Sequence, residues 1–72
     1  MSGSKPLALR LRLERGKRQI TLEDAERLTG VHRETITRLE KGWQAPRVGT
    51  LQRLAHGYGV PLSDLLEESE RQ

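Results

Sequence analysis

Between Gly30 and Gly42 the chain reads GVHRETITRLEKG, and within it Arg33, Glu34, Thr37, Arg38 and Lys41 recur three and four residues apart. On a helix that spacing gathers the five side chains on one face and leaves Ile36 and Leu39 on the other. The two arginines carry planar forks able to grip guanine O6 and N7 in two places. Glu34 can accept from cytosine N4, and Thr37 can meet a thymine methyl or a phosphate. The chemistry on offer is therefore recognition of base edges by hydrogen bonds. The alternative is a solvated helix face on which Glu34 and Arg38, four apart, form an ordinary ion pair.

Other residues are suited to holding phosphate. Lys41 and Arg47 supply charge, and amide groups near Leu22 sit where a helix N-terminus attracts anions. Trp43 either lays its ring on a sugar-phosphate strand or caps the small core. Nothing suggests catalysis or a cofactor: no Gly-rich phosphate loop, nucleophile elbow or clustered carboxylate pair is visible. His32 and His56 stand far apart in a chain without cysteine, which argues against a metal site.

The elements that must position these groups are helical. A chain of 72 residues makes one domain with one core, and with 33% hydrophobic residues, one Trp, one Tyr and no Phe that core is built from Leu, Ile, Val and Ala. Helix one starts at Pro6 and runs through LALRLRLERG to Gly16. Its alternating leucines, Leu7 to Leu13, also fit a strand, but no second strand pattern exists to pair with it. KRQI follows as a basic connector. Thr21 reads as an N-cap with Glu23 and Asp24 in the first turn, and helix two runs from Leu22 to Thr29, with Leu22, Ala25 and Leu28 inward and Gly30 as its stop. Helix three spans His32 to Lys41. Helix four spans Val48 to His56 on an apolar face of Val48, Leu51, Leu54 and Ala55, ended by Gly57 and Gly59. Pro61 opens helix five, with Leu62, Leu65 and Leu66. Residues 1–5 read as a leader, 6–69 as the domain and 70–72 as a frayed tail. The expected core contains Leu11, Leu28, Ile36, Leu39, Leu51, Leu54 and Leu65.

Two short helices joined by a Gly-containing turn form the unit that lays its second helix in a major groove. Here it reads TLEDAERLTGVHRETITRLEKG, and with LRLERG before it and APRVGTLQRLA and YGVPLSDLL after it, the chain resembles the Cro and phage-repressor type of helix-turn-helix family from Leu7 to Leu66. The resemblance implies a compact, all-α, five-helix lambda-repressor-like domain. It makes His32, Arg33, Glu34, Thr37 and Arg38 the base-reading positions. It also implies an arginine of helix one bonded to Glu40. Arg12 follows a leucine as the family pattern requires, which treats Lys17 to Gln19 as an insertion; Arg15 is the alternative if there is none, and a plain surface charge is the competing reading for either. Glu26 stands where relatives carry a small residue, at the crossing of helices two and three. His32 replaces the usual serine.

Net charge is +3 and the pI about 10.0, with basic residues concentrated between Lys5 and Arg18 and acidic ones after Asp64. A polyanionic partner suits that balance. No apolar run is long enough to span a membrane and no signal peptide is recognisable, so a cytoplasmic protein is expected. The expected function is sequence-specific binding of double-stranded DNA by a transcriptional regulator. A lone module makes few base contacts, so a homodimer is expected, with Tyr58, Leu62 and Leu66 as its edge. The competing reading is a protein-interaction module or antitoxin that keeps the fold without reading DNA.

Overall fold

The computed structural model describes residues 5–70, with side chains from Pro6 to Leu66. Five helices follow in chain order: α1 (Lys5–Arg18), α2 (Leu22–Thr29), α3 (Arg33–Glu40), α4 (Val48–Tyr58) and α5 (Leu62–Glu70), with no strand among the described residues. Lys5 thus belongs to α1 and Glu70 to α5, while residues 1–4 and 71–72 of the expected leader and tail lie outside the described residues. The leucines of α1 show how a period-two pattern is accommodated on a helix. Leu7 and Leu11, four apart, are buried, whereas Leu9 and Leu13 are 60% and 54% exposed.

α1 does not stop at Gly16. It carries Lys17 and Arg18 in its last turn and ends at Gln19, which takes a left-handed φ of 54°. The expected connector and insertion are therefore absent. An interior glycine costs about 1 kcal/mol in a helix; here Lys17 and Arg18 both reach Glu14 from the added turn, and Arg18 also reaches the end of α4. Those contacts hold the last turn helical.

α2 begins in a full capping box, with the Thr21 hydroxyl accepting from the Asp24 amide and the Asp24 carboxylate accepting from the Thr21 amide. It ends at Gly30 with φ 77°. Its buried residues are Ala25 and Thr29, while Leu28, expected in the core, is 49% exposed. Thr29 enters the core because its hydroxyl is satisfied locally, donating to the Ala25 carbonyl at 2.7 Å and accepting from the Val31 amide at 3.1 Å. α4 runs past His56 to Tyr58, so Gly57 is interior and Gly59, at φ 71°, is the stop. Gly57 lies where α4 crosses α2: a Cβ there would sit 2.7 Å from both Thr29 Cα and Thr29 Cγ2. Val48, at 66% exposed, does not join the inner face of α4.

One core forms from Leu7, Leu11, Ala25, Val31, Ile36, Leu39, Leu51, Leu54, Ala55, Tyr58 and Leu65, with Leu62 and Leu66 partly buried against it. Of the expected core, only Leu28 is missing. Tyr58 is 3% exposed. Packed inside its own chain, it is not available as an edge between two copies, which corrects one of the three residues expected there.

Because the Gly57 contact is with backbone that cannot swing aside, Gly57→Ala should destabilise the domain by about 1–3 kcal/mol in urea unfolding. Gly49, in the same helix with no atom within 4 Å of its would-be Cβ, supplies the control. Gly49→Ala should be neutral or stabilising by up to about 1 kcal/mol.

Candidate nucleic-acid interface

α2, the turn at Gly30 and α3 form the helix-turn-helix unit, and α1 fixes α3 from behind. The Arg15 guanidinium donates from Nε to Glu40 Oε2 at 2.8 Å and from Nη2 to Glu40 Oε1 at 2.9 Å, while its Nη1 donates to the Ile20 carbonyl at 3.0 Å. One side chain thus ties α1 to the end of α3 and to the segment entering α2. Glu40 is 6% exposed, so its charge is balanced inside the fold. Arg12, expected in this role, is exposed and lines an open groove with Ala8, Leu9, Glu40, Lys41 and Trp43. The reason is the continuous α1: with no insertion after Gly16, Arg15 rather than Arg12 stands opposite Glu40.

The residue before Arg15 is a second ionic centre that the sequence reading did not anticipate. Glu14 is fully buried. It accepts from Arg10 Nε at 2.8 Å and Arg18 Nη1 at 3.0 Å, with Lys17 Nζ 3.2 Å from Oε1. Arg18 continues to the Tyr58 carbonyl at the end of α4 and lies 5.1 Å over the Tyr58 ring, and Arg10 reaches Asp64 of α5 at 3.8 Å. Burial pushes the Glu14 carboxyl up, but the hydrogen bonds from Arg10, Arg18 and Lys17 outweigh it and hold the group below the usual glutamate range. The one available signal was spacing: Arg10, Lys17 and Arg18 lie at −4, +3 and +4 from Glu14.

On the outer side, α3 presents its polar face as expected. Arg33, Glu34 and Arg38 are exposed, and Thr37 is half-buried with its hydroxyl donating to the Arg33 carbonyl at 3.0 Å. No ion pair joins Glu34 to Arg38 among the described residues, so the face is not closed by the pairing expected of a solvated helix. His32 is the N-cap rather than the first turn: its Nδ1 accepts from the Glu34 amide at 3.1 Å. Gly42 stops the helix with φ 71°. Beyond it Trp43 is 61% exposed, with the Lys41 ammonium 4.7 Å over its ring, and so does not cap the core. Arg47 caps α4 by backbone alone and is exposed, leaving its guanidinium outside the capping arrangement. Leu22 opens α2 among the acidic side chains of Glu23 and Asp24. Glu26 does not spoil the crossing with α3, because its stem carries the carboxylate outward to 3.6 Å from Arg33 Nη1; Glu23 lies at the same distance on the same nitrogen.

No described helix is long and apolar enough to cross a membrane, and no described group of three or more His, Cys, Asp or Glu could hold a metal ion. Five helices around one core, with α2 and α3 joined through a turn at Gly30 and α3 polar outward, define a lambda-repressor-like helix-turn-helix domain. The chain belongs to the family described as helix-turn-helix domain, whose sequence profile matches residues 6–68. It is 38% identical over 56 residues to the cryptic phage CTXphi transcriptional repressor RstR of Vibrio cholerae, covering 78% of this chain and 50% of that protein. Among solved structures, an HTH_3 family transcriptional regulator from Vibrio cholerae superposes with a TM-score of 0.83 at 25% identity, over 93% of this chain and 38% of that one. The clp gene regulator ClgR from C. glutamicum shares the fold, with a TM-score of 0.78 at 24% identity over 93% of this chain and 87% of its own. The chain spans half the length of the phage repressor it matches.

Removing one partner of the Arg15 and Glu40 pair leaves the other charge inside the fold. Arg15→Ala should cost about 1–3 kcal/mol in chemical unfolding, reduced from the fully buried case because Arg15 is 26% exposed. Arg12→Ala should stay within about 0.5 kcal/mol of the parent. Equal losses at the two positions would remove Arg15 from its central role.

Glu14 makes stability depend on acid in a defined direction. Its folded pKa lies below the unfolded value of about 4.3, so its contribution is complete above that pH and is lost as pH falls through the folded value. Glu14→Gln should therefore cost about 1–3 kcal/mol at pH 7, and the gap to the parent should narrow below about pH 4. Denaturant titrations at both pH values read it directly; a gap that stays constant would rule out a depressed Glu14.

Proposed function

We propose that this chain binds double-stranded DNA sequence-specifically, as the reading domain of a repressor-like transcriptional regulator that lays α3 in the major groove. The observation that carries this reading is the exposed α3 face bearing Arg33 and Arg38, on a helix held from behind by the bidentate Arg15 and Glu40 bond. Base edges are read from His32, Arg33, Glu34, Thr37 and Arg38. Phosphates are held by Lys41, Arg47 and the amides near Leu22, with Trp43 against a sugar-phosphate strand. The kinship to a phage transcriptional repressor supports the regulatory role. The domain acts without catalysis, in the cytoplasm, and pairs with a second copy through the Leu62 and Leu66 region to read two half-sites. Leu62 and Leu66 retain partial exposure for that contact.

Reading and holding separate by mutation. Arg38→Ala should cost about 1–3 kcal/mol on the cognate duplex and relax preference at one base pair, with a smaller change on scrambled DNA. Arg47→Ala should weaken both duplexes about equally and lower the salt slope by roughly one. Fluorescence anisotropy titrations at several salt concentrations measure all four combinations. Wild type that binds neither duplex at low salt would point to a protein-interaction module.

A further inference from the structure

Arg33 is the first residue of α3, a position where the helix dipole disfavours a cation, yet two carboxylates of α2 converge on it. Glu23 Oε2 and Glu26 Oε1 each lie 3.6 Å from Arg33 Nη1. Glu23 and Glu26 are three apart on α2, so one face of that helix supplies both. Their side chains are 66% and 33% exposed, against 51% for Arg33. The arrangement is thus open to an incoming ligand.

From this geometry we propose that Glu23 and Glu26 are specificity-determining residues, which make Arg33 selective for the neutral edge of guanine over the phosphate backbone. The proposal rests on the reading of α3 as the DNA-reading helix. Two negative charges within 4 Å of one guanidinium lie well inside the screening length, so the local charge around Arg33 is negative. A phosphate approaching Arg33 meets two carboxylates at Nη1, and their like charge opposes it at every donor of the group. A guanine edge carries no net charge, and its O6 and N7 can accept from the Nε and Nη2 hydrogens while Nη1 keeps its carboxylate partners. The carboxylates also restrict a long, flexible side chain before binding. Specificity gained in this way comes from weakening the wrong complex rather than strengthening the right one.

The test compares wild type, E23Q/E26Q, R33A and the triple variant on two duplexes. One is the tightest binder selected from a random pool, and the other is a scrambled sequence of the same composition. Glutamine preserves shape and leaves the Thr21 and Asp24 capping box intact, and circular dichroism checks that each variant keeps its helices. E23Q/E26Q should tighten scrambled-duplex binding about threefold to tenfold at low salt, with cognate binding held within about twofold. Its salt slope on the scrambled duplex should steepen by roughly one as Arg33 becomes a phosphate contact. With Arg33→Ala in the background, the same glutamine substitutions should leave both the discrimination ratio and the slope unchanged. Equal tightening with and without Arg33 would reduce the effect to general charge and overturn the proposal, as would an unchanged ratio or a loss of binding to both duplexes. Wild type that binds neither duplex would instead overturn the DNA-reading function itself.

Discussion

The bidentate bond between Arg15 and Glu40 is the interaction on which the rest of the structure depends. It joins the third turn of α1 to the last residue of α3, and the third donor of the same guanidinium holds the chain as it enters α2. Both helices of the helix-turn-helix unit are therefore referred to α1 through one planar group. A guanidinium can do this because its donors diverge in a fixed fork, whereas an ammonium would give a point charge without direction. Eight-residue helices such as α2 and α3 have little stability of their own. Their orientation must be imposed from outside, and the apolar core plus this one polar tie impose it.

A second ionic centre performs the same service for the other half of the molecule. Glu14, buried beside Arg15, gathers Arg10, Lys17 and Arg18, and through them α1 reaches the carbonyl end of α4 and the start of α5. Burial of a carboxylate is costly unless its oxygens are fully bonded. Three cations meet that requirement here, and their partial exposure lets their own charges remain hydrated. Much of the basic character of α1 is thus structural, although Arg12 stays exposed; Arg33, Arg38, Lys41 and Arg47 are exposed on α3 and the segment that follows it.

The polar face of α3 is not uniformly cationic, since Glu23 and Glu26 bring negative charge to its first residue. Affinity for any polyanion is lowered at that point. A surface built only for charge attraction would have no use for such carboxylates, whereas a surface that must distinguish base edges from backbone gains from them.

Much was legible in the sequence alone, because it rests on local rules. Thr21, Gly30, Gly42 and Gly59 act on their own backbone, so the start and stop of α2 and the stops of α3 and α4 follow from residue type. Helical spacing of Ile36 and Leu39 determines which face of α3 is polar, and the apolar pattern of α4 and α5 places Leu51, Leu54 and Leu65 inward. Tertiary structure decided the remainder. Whether α1 crosses Gly16 depends on contacts from Lys17 and Arg18 to Glu14 and Tyr58, and that continuation selects Arg15 over Arg12. The fate of Leu28, left outside while Thr29 is buried, depends on where α4 presses against α2 at Gly57. The partners of Glu26 belong to another helix. Apart from the Glu14 pairs, whose i+3 and i+4 spacing lies within α1, a pairwise distance between separate elements sets these outcomes, and periodicity along one element carries no information about it.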